Sequence, residues 1–253
     1  MKRSSPPTLA AERRAAIAKA VQQRGTVRVA ELAAQFGVNA ATIRRDLETL
    51  EEQGKIQRVH GGAVAVEKAA PEGQSLAQDE RIGQAVAGMV GAGETIFLGP
   101  GQLPLAVARA LAGCSLLTIV TNGIEIAHWV ARNTPHTLIV TGGQAEGRDV
   151  GLVGQLAQAA LAGLRANHVI LQLDGVSAVG GLTGDSLPHA EMARLLLEIG
   201  SQIIVLAQPG RVGQVAAVYI APVSEADVIV TAREASSAAL WDLSEAGVRV
   251  VLA

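Results

Sequence analysis

The pattern of apolar positions is clearest in a helix near the start of the chain. Ile43, Leu47 and Leu50 stand at i, i+4 and i+7, which predicts one buried seam along a helix. Asn39 is a favourable N-cap for this helix, and Gly54 is a favourable stop. Charged and small residues occupy the other side, so the spacing predicts an amphipathic helix whose polar face is exposed.

Shorter patterns before and after this helix complete a compact arrangement. Residues 8–23 carry a helical apolar pattern, residues 27–29 suit a short strand, and residues 30–36 suit a short helix. Residues 55–66 alternate well enough to form a hairpin about Gly61. Helix, turn, helix and hairpin in this order predict a winged helix-turn-helix.

The period of the pattern changes after a polar segment rich in Pro and Gly at residues 67–79, which suits a linker. Beyond it, short continuous apolar runs alternate with helical segments, as in strands buried on both faces. The runs are 95–98, 116–121, 137–141, 169–173, 202–206, 227–231 and 248–252. The predicted fold class is therefore α/β: a winged helix-turn-helix domain at 1–66, a linker at 67–79 and a larger open, mostly parallel α/β sheet domain at 80–253.

Charge is distributed unevenly over these segments. The chain has 253 residues and a net charge of −2. Residues 1–68 hold 12 Lys and Arg against 7 Asp and Glu, a balance of +5, which leaves −7 for residues 69–253. All four lysines lie in the first segment. This asymmetry indicates that the first segment meets a polyanion and the second has another task.

The exposed side of the helix after Asn39 is suited to the major groove of DNA. Small side chains permit close approach, a threonine can contact phosphate or a thymine methyl, and an arginine can bind guanine or phosphate. The hairpin supplies basic residues in the position of a wing, and Arg13, Arg14 and Lys19 could add phosphate contacts. The candidate DNA-binding residues are Asn39, Ala41, Thr42, Arg44, Arg45, Thr49, Arg58, His60 and Gly61.

These residues also carry a family resemblance. The first segment resembles the N-terminal signature of the DeoR/GlpR family of bacterial transcription regulators. The matching stretches are Glu31-Leu-Ala, Phe36-Gly-Val, Thr42-Ile-Arg-Arg-Asp-Leu47 and Arg58-Val-His-Gly-Gly-Ala63. Asn39 replaces the usual serine at the helix cap and preserves the cap chemistry. The resemblance implies double-stranded operator DNA as partner, and symmetric operators favour a homo-oligomer, dimeric or larger.

The resemblance continues through the second segment, where the family has a sensor domain similar in fold to ribose-5-phosphate isomerase. It implies a small anionic metabolite as effector, with phosphorylated sugars as the family's class. Glycine-rich turns after buried strands leave backbone N–H groups free at helix N-termini, which favours phosphate. The candidate effector residues are Pro100, Gly101, Gln102, Thr121, Asn122, Gly142, Gly143, Asp174, Gly175 and Arg211.

Three positions depart from the family's pattern. Gly99-Pro-Gly-Gln-Leu103 stands where the family usually has Asp-x-Gly-Thr-Thr, and Gln208-Pro-Gly-Arg211 stands where it has Asp-x-x-Lys. Thr231-Ala232 replaces a Thr-Asp pair. These departures keep open the alternative that the second domain is a vestigial pocket that serves oligomerisation without sensing.

Other functions find less support in the sequence. An isomerase-like enzyme needs a positioned base and usually a cation beside the enediolate, and the second segment has no lysine. His189 and Glu191 are interpreted as capping or surface residues, and the histidines show no metal-ligand spacing, so neither a metal nor a cofactor nor a catalytic residue is expected. A single cysteine, Cys114, and the absence of any membrane-length apolar run predict a cytoplasmic protein that does not contact membranes.

Overall fold

The computed structural model describes residues 10–24, 26–52, 56–59, 61–65, 72–146 and 150–253. The chain divides into two compact units, Met1–Ala70 and Pro71–Ala253. In the part of the chain that is described, no helix combines the length and apolar character needed to cross a membrane.

Helices and strands of the first unit follow the predicted order. They are α1 (Ala10–Arg24), β1 (Thr26–Arg28), α2 (Val29–Phe36), α3 (Ala40–Glu52), β2 (Ile56–Val59) and β3 (Gly62–Ala65). The strands form an antiparallel sheet in the order β1-β3-β2. One apolar cluster joins the three helices to this sheet, and the α3 seam of Ile43, Leu47 and Leu50 is buried within it, as predicted.

A charged pair lies beside this cluster and connects α1 to α3. The Nε of Arg13 donates to Oδ2 of Asp46 at 2.6 Å, and both side chains are almost entirely buried. The guanidinium's hydrogen bond to this carboxylate raises the pKa of Arg13 further above its usual range. Two charges removed from water are tolerated because each satisfies the other, so the pair fixes how α1 lies against α3.

The second unit is built on a seven-stranded parallel sheet. Its helices and strands are α4 (Glu72–Ala87), β4 (Thr95–Leu98), α5 (Gln102–Leu111), β5 (Thr118–Thr121), α6 (Ile124–Asn133), β6 (Thr137–Val140), β7 (Gln144–Glu146), β8 (Gly151–Val153), α7 (Gln155–Leu161), β9 (Ala166–Gln172), β10 (Gly175–Ser177), β11 (Gly181–Gly184), α8 (Leu187–Ile199), β12 (Gly200–Leu206), β13 (Val218–Ala221), β14 (Val228–Thr231), α9 (Ser237–Glu245) and β15 (Arg249–Leu252). The sheet order is β15-β14-β12-β9-β4-β5-β6, all parallel.

Apolar clusters cover both faces of this sheet. Ile96 and Ile119 share one cluster with α4, α5 and α6, while Phe97 and Val120 share the other with α7, α8 and α9. Neighbouring strand residues point to opposite faces, so a run of consecutive apolar residues fills both clusters at once. This confirms the predicted open, mostly parallel α/β sheet.

Two small antiparallel sheets were not predicted. The strands β10, β11 and β13 form one, and β7 with β8 forms the other. Several of these strands have only three residues and contain glycine, so alternation of apolar and polar positions gives no usable signal. Close backbone contact explains one glycine: a Cβ on Gly175 would lie 2.3 Å from Oγ1 of Thr183.

The predicted linker at 67–79 is wrong over its second part, because α4 begins at Glu72. Residues 67–71 lie outside the described residues. The helix forms because Ile82 and Val86 are buried against the sheet, and Gly83 lets its backbone approach α5 so closely that a Cβ would lie 2.6 Å from the oxygen of Ala106. Tertiary packing therefore overrides a local composition that is typical of a linker.

We expect Asp46→Ala to destabilise the first unit by about 3 kcal/mol, because it leaves the buried guanidinium of Arg13 without its partner. Both tryptophans, Trp129 and Trp241, lie in the second unit, so amide hydrogen exchange in α1 and α3 is the suitable measurement. Exchange should be about a hundredfold faster in the variant. Replacing both partners, Arg13→Met with Asp46→Leu, should restore most of the protection, and equal losses in the single and double variants would contradict a specific pair.

Candidate nucleic-acid interface and ligand pocket

The exposed side of α3 carries the arginine pair. Ala41, Arg44 and Arg45 are exposed; Ala41 and Arg45 lie opposite the buried seam of the helix, and Arg44 lies on its flank. The guanidinium groups are therefore presented to the solvent. A helix about 12 Å wide with this surface fits the major groove of B-DNA.

The cap of α3 uses two of the predicted DNA-binding residues. Oδ1 of Asn39 accepts a hydrogen bond from the backbone N–H of Thr42 at 2.7 Å and another from its hydroxyl at 2.8 Å. The hydroxyl of Thr49 donates to the oxygen of Arg45 at 3.1 Å. Both hydroxyl hydrogens are thus engaged within the helix, which leaves the methyl groups and acceptor oxygens of Thr42 and Thr49 for any further contact.

The wing follows α3 as predicted. Gly61 lies at its turn with a φ of 87°, a conformation that favours glycine, while Arg58 is part of β2 and His60 lies outside the described residues. Arg28, which is exposed, pairs with Gly62 across β1 and β3. A cation beside the turn of the wing was missed in the sequence because Arg28 is distant from the hairpin along the chain.

The predicted phosphate contacts of α1 need one correction. Arg13 is buried against Asp46 and does not present its guanidinium to a phosphate. Arg14 is half-buried and its Nε donates to the oxygen of Ala10, whereas Lys19 is exposed. Two adjacent arginines look alike in the sequence, and the position of Asp46 on another helix decides between them.

In the second unit, a cavity lies where the strand order reverses. The chain proceeds from β4 through β5 to β6 in one direction, and β9, β12, β14 and β15 continue on the other side of β4. Crossovers leave β4 and β9 in opposite directions, which opens a crevice at their carboxyl ends. Gly99 and Pro100 after β4 and Leu173 and Asp174 after β9 line a cavity there.

This cavity is small and mostly apolar. Its volume is about 60 Å³, against roughly 300 to 1,000 Å³ for pockets that enclose a ligand. Among the described residues that line it, Asn122, Gln172, Asp174 and His189 supply polar side chains, and none is Lys or Arg. The cavity therefore has room for about two water molecules.

Gln172 is a site residue that the sequence did not indicate. Its Oε1 accepts the backbone N–H of Leu103 at 2.9 Å, in the first turn of α5. Gly101 permits this contact, because a Cβ there would lie 2.6 Å from the same oxygen. An N–H group at this helix N-terminus, which the sequence predicted to be free for phosphate, already has an internal acceptor.

Asn122 lies on the opposite side of the pocket. Its Nδ2 donates to the oxygen of Leu152 at 3.1 Å, and the N–H of Leu152 donates to the oxygen of Asn122 at 2.7 Å, so β8 is tied to the end of β5. The Oδ1 of Asn122 has no hydrogen-bond partner although the residue is only 1% exposed. A buried acceptor without a partner is costly, and a ligand hydroxyl would satisfy it.

His189, interpreted from the sequence as a capping or surface residue, is half-buried near the start of α8, where Ser186 is the N-cap residue. It lines the cavity, and its Nδ1 lies 3.0 Å from Oγ of Ser186. Its Nε2 faces Gly151 of β8 so closely that a Cβ there would lie 2.7 Å away. The spacing of His189 within α8 gives no hint of this, because the contact depends on a strand distant in sequence.

The other predicted effector residues divide by position. Pro100, Asn122 and Asp174 line the cavity, and Oδ2 of Asp174 also accepts the N–H of Asp185 at 2.9 Å. The remaining residues do not line it: Gly101, Gln102, Thr121, Gly142, Gly143, Gly175 and Arg211.

Three of these residues have structural roles instead. The hydroxyl of Thr121 donates to the oxygen of Leu98 at 2.7 Å and accepts the N–H of Gly123, so it joins β5 to β4. Gly143 and Gly175 allow close packing, since a Cβ on Gly143 would lie 2.7 Å from the oxygen of Val153. These contacts give Thr121, Gly143 and Gly175 a role in the fold, and ligand contact by them stays a prediction.

A buried carboxylate reaches the same edge of the sheet from α4. Asp79 is buried, its Oδ1 has no hydrogen-bond partner, and its side chain bonds to Gln208, which follows β12. Burial raises the pKa of Asp79 above its ordinary value, although Gln208 and the charge of Arg109 oppose the rise. Residues Gln78 and Arg81 contact Glu234 beyond β14, so α4 is tied to two loops of this edge.

Known proteins resemble both units. A DeoR-like helix-turn-helix domain matches residues 13–69, and the DeoR C terminal sensor domain matches residues 74–233. The glycerol-3-phosphate regulon repressor of Escherichia coli is 30% identical over 226 residues, covering 87% of this chain and 90% of that protein. The transcriptional repressor AccR of Agrobacterium fabrum is 30% identical over 228 residues, covering 87% of this chain and 88% of that protein.

A structure of ribose 5-phosphate isomerase A from Methanocaldococcus jannaschii covers 55% of this chain and 54% of its own, with 12% identity and a TM-score of 0.40. A likeness of that size carries no argument about the site. The two domain matches show the family, because together they span most of the chain in the order that the sequence predicted. The chain belongs to the DeoR family of transcriptional regulators, with a DNA-binding domain followed by a sensor domain, and it is not an enzyme.

We expect Asp79→Asn to stabilise the second unit at neutral pH. The pKa of Asp79 is raised in the folded state, so ionisation destabilises the fold as pH rises through that folded pKa. The variant should therefore melt higher than the wild type at pH 7 to 8, and the gap should shrink towards about pH 4, the ordinary pKa of Asp. Tryptophan fluorescence during thermal unfolding measures the melting temperatures of the wild type and the variant at each pH. Asp242→Asn, at an exposed position, is the control and should melt at the wild-type temperature. A variant less stable at every pH would show that the charge of Arg109 dominates.

Proposed function

We propose that the chain is a cytoplasmic, ligand-responsive repressor that binds operator DNA through its first unit and a small metabolite through its second. The observation that supports DNA reading is the separation of roles on α3. Apolar residues and Asp46 hold the helix to its own unit, while Arg44 and Arg45 are exposed together on its other side. The names of the relatives, which are repressors, support the sign of regulation.

The candidate contacts follow from this geometry. Arg45 is proposed to bond a base edge or phosphate in the major groove, with Arg44 beside it, and Ala41 and Asn39 to allow close approach at the start of α3. The wing residues Arg58, His60 and Gly61, with Arg28 beside them, are proposed to meet the backbone or the minor groove. Thr42 and Thr49 are proposed to contribute methyl groups rather than donated hydrogen bonds.

We expect Arg45→Ala to weaken operator binding by about 1 to 3 kcal/mol, roughly 5- to 150-fold, if this arginine binds a base. The operator is first located by footprinting near the chain's own operon, and affinity is then measured by fluorescence anisotropy at fixed salt. Arg249→Ala, an exposed arginine of the second unit, is the matched control. Equal losses on operator and scrambled duplex would indicate a phosphate contact, and unchanged operator binding would transfer the role to Arg44 or the wing.

The proposed effector is a hydroxyl-bearing metabolite, with sugar phosphates as the first class to test. Asn122 Oδ1 and the carboxylate of Asp174 are acceptors that suit sugar hydroxyls, and His189 lies beside them. A phosphate at the N-terminus of α5 would have to displace Oε1 of Gln172 from the N–H of Leu103. Because the pocket encloses only about 60 Å³, binding requires the pocket to open, which links occupancy to a change of conformation.

The alternative, an oligomerisation domain that senses nothing, is supported by the small volume of the cavity, about 60 Å³, and by the internal hydrogen bonds of its polar groups. A thermal-shift panel of sugars and polyols, each with its phosphorylated counterpart, separates the two. A compound that raises the melting temperature and also releases operator DNA supports sensing. Silence across the panel supports the alternative.

For a compound found in this way, we expect Asp174→Asn to weaken the release of DNA by about 10- to 100-fold, since a charged acceptor is lost. DNA affinity without the compound should not change. Arg211→Gln should weaken only the phosphorylated member of a pair, if the phosphate lies near the turn Pro209–Arg211. If Arg211→Gln weakens the phosphorylated and the unphosphorylated compound equally, the phosphate lies elsewhere.

A further inference from the structure

The first turn of α5 adjoins the cavity and offers few hydrogen-bond donors to an anion. Gly101 is its N-cap residue, and the N–H groups of the next three positions find no acceptor within a helix. The third of these positions is Pro104, which has no N–H. The N–H of Leu103 donates to Oε1 of Gln172 at 2.9 Å. The first turn therefore leaves the N–H of Gln102 for a phosphate.

Helices α6 and α8 also begin beside the cavity, and they supply donors no better. Asn122, which lines the cavity, lies just before α6. The N–H of Ile124 in α6 donates to the oxygen of Val150 at 3.3 Å, and the first turn carries the acidic Glu125. In α8 the second position is Pro188, which again has no N–H. Internal acceptors and prolines thus reduce the donors at the helix ends where phosphate usually binds.

Acceptor atoms are available to a ligand in the same cavity. Oδ1 of Asn122 has no hydrogen-bond partner, and this residue is only 1% exposed. Asp174 adds a carboxylate, whose Oδ2 accepts the N–H of Asp185. The described lining residues include no lysine or arginine. A phosphate would bring acceptors and negative charge to a wall that already has both, whereas hydroxyl groups would bring the missing donors.

The carboxamide of Gln172 fits closely against the turn before α5. The φ of Gly101 is 124°, and a Cβ there would lie 2.6 Å from Oε1 and 3.0 Å from Cδ of Gln172. A side chain at position 101 would therefore displace the carboxamide. An amide oxygen carries partial negative charge, so it satisfies the positive end of the helix at the point where a phosphate oxygen would bind.

We propose that Gln172 determines effector specificity: its carboxamide takes the place of a phosphate at α5 and restricts the cavity to an uncharged polyhydroxy compound. Hydroxyl groups of that compound would donate to Oδ1 of Asn122 and to the carboxylate of Asp174. This inference rests on the proposed function, because it takes the cavity as the effector site. It decides between the two classes that the proposed function leaves open, polyols or sugars and their phosphates.

Replacing Gln172 tests the exclusion of phosphate, with inorganic phosphate as the probe. Gln172→Ala leaves the N–H of Leu103 free and opens space beside it, whereas Gln172→Met removes the acceptor and fills the same space. We expect Gln172→Ala to bind phosphate at least about tenfold more tightly than the wild type and Gln172→Met, because a hydrogen bond to an anion is gained. Titration calorimetry of the full chain at constant ionic strength measures the affinity. Phosphate bound by the basic first unit contributes equally in all three proteins.

The amide resonance of Leu103 shows where the phosphate binds. It should move on addition of phosphate in Gln172→Ala and stay unchanged in the wild type. A wild-type Leu103 resonance that moves with phosphate would overturn the inference. So would a Gln172→Ala variant that binds phosphate no more tightly than Gln172→Met.

The wild type provides a second test that needs no variant. Ribitol, xylitol and mannitol are each compared with their terminal phosphate esters by thermal shift of the full chain. We expect a polyol to raise the melting temperature and its ester to have no effect. An ester that raises the melting temperature more than its polyol contradicts the assignment of Gln172.

The two proposals fail in different ways. If Gln172→Ala gains phosphate binding but neither polyols nor esters act on the wild type, the exclusion by Gln172 stands and the proposed sensing function is lost. If an ester binds the wild type and releases operator DNA, the sensing function stands and the role of Gln172 is overturned.

Discussion

Burial of both faces of a parallel sheet is the constraint on which the second unit depends. Consecutive residues such as Ile96 and Phe97 enter different apolar clusters, so the central strands need helices above and below them. Right-handed crossovers supply these helices, and they bring the loops of all the strands to one edge. Because the crossovers diverge between β4 and β9, the crevice at that edge is a consequence of how the sheet is covered. The topology by itself explains where the pocket lies.

Most polar groups of the pocket are hydrogen-bonded within the chain. Gln172 occupies the N-terminus of α5, and Asn122 ties β8 to the end of β5 while one of its own oxygens stays unsatisfied. The pocket thus combines polar groups that are paired within the chain with one, Oδ1 of Asn122, that is not. A ligand that satisfies Asn122 while it separates Gln172 from Leu103 would favour an open state. In addition, Asp79 brings α4, the first helix of this unit, into contact with Gln208 at the same edge.

Charged residues in the first unit show how burial assigns roles to similar side chains. Arg13 and Asp46 neutralise each other between α1 and α3, and they position the helix rather than contact a partner. Arg44 and Arg45 stand beside Asp46 in sequence but on the exposed side of the helix. A rotation of about 100° per residue is enough to separate a structural charge from one that is available to DNA. The unit thus uses a buried ion pair to hold the helix whose exposed charges are proposed to bind.

The sequence by itself determined the features that depend on local spacing. The α3 seam of Ile43, Leu47 and Leu50, the seven strand segments of the parallel sheet, and the family of the chain all follow from residues close together in sequence. The tertiary structure alone decided that α4 extends into the expected linker, that Asp46 is buried, and that Gln172 and His189 belong to the pocket. Each of these depends on a partner distant along the chain: Asp46 lies 33 residues from Arg13, and Gln172 lies 69 residues from Leu103. Periodicity reports which face of a segment is apolar, but it carries no information on which polar group of another segment will contact that face. The pocket consists of such contacts between distant segments.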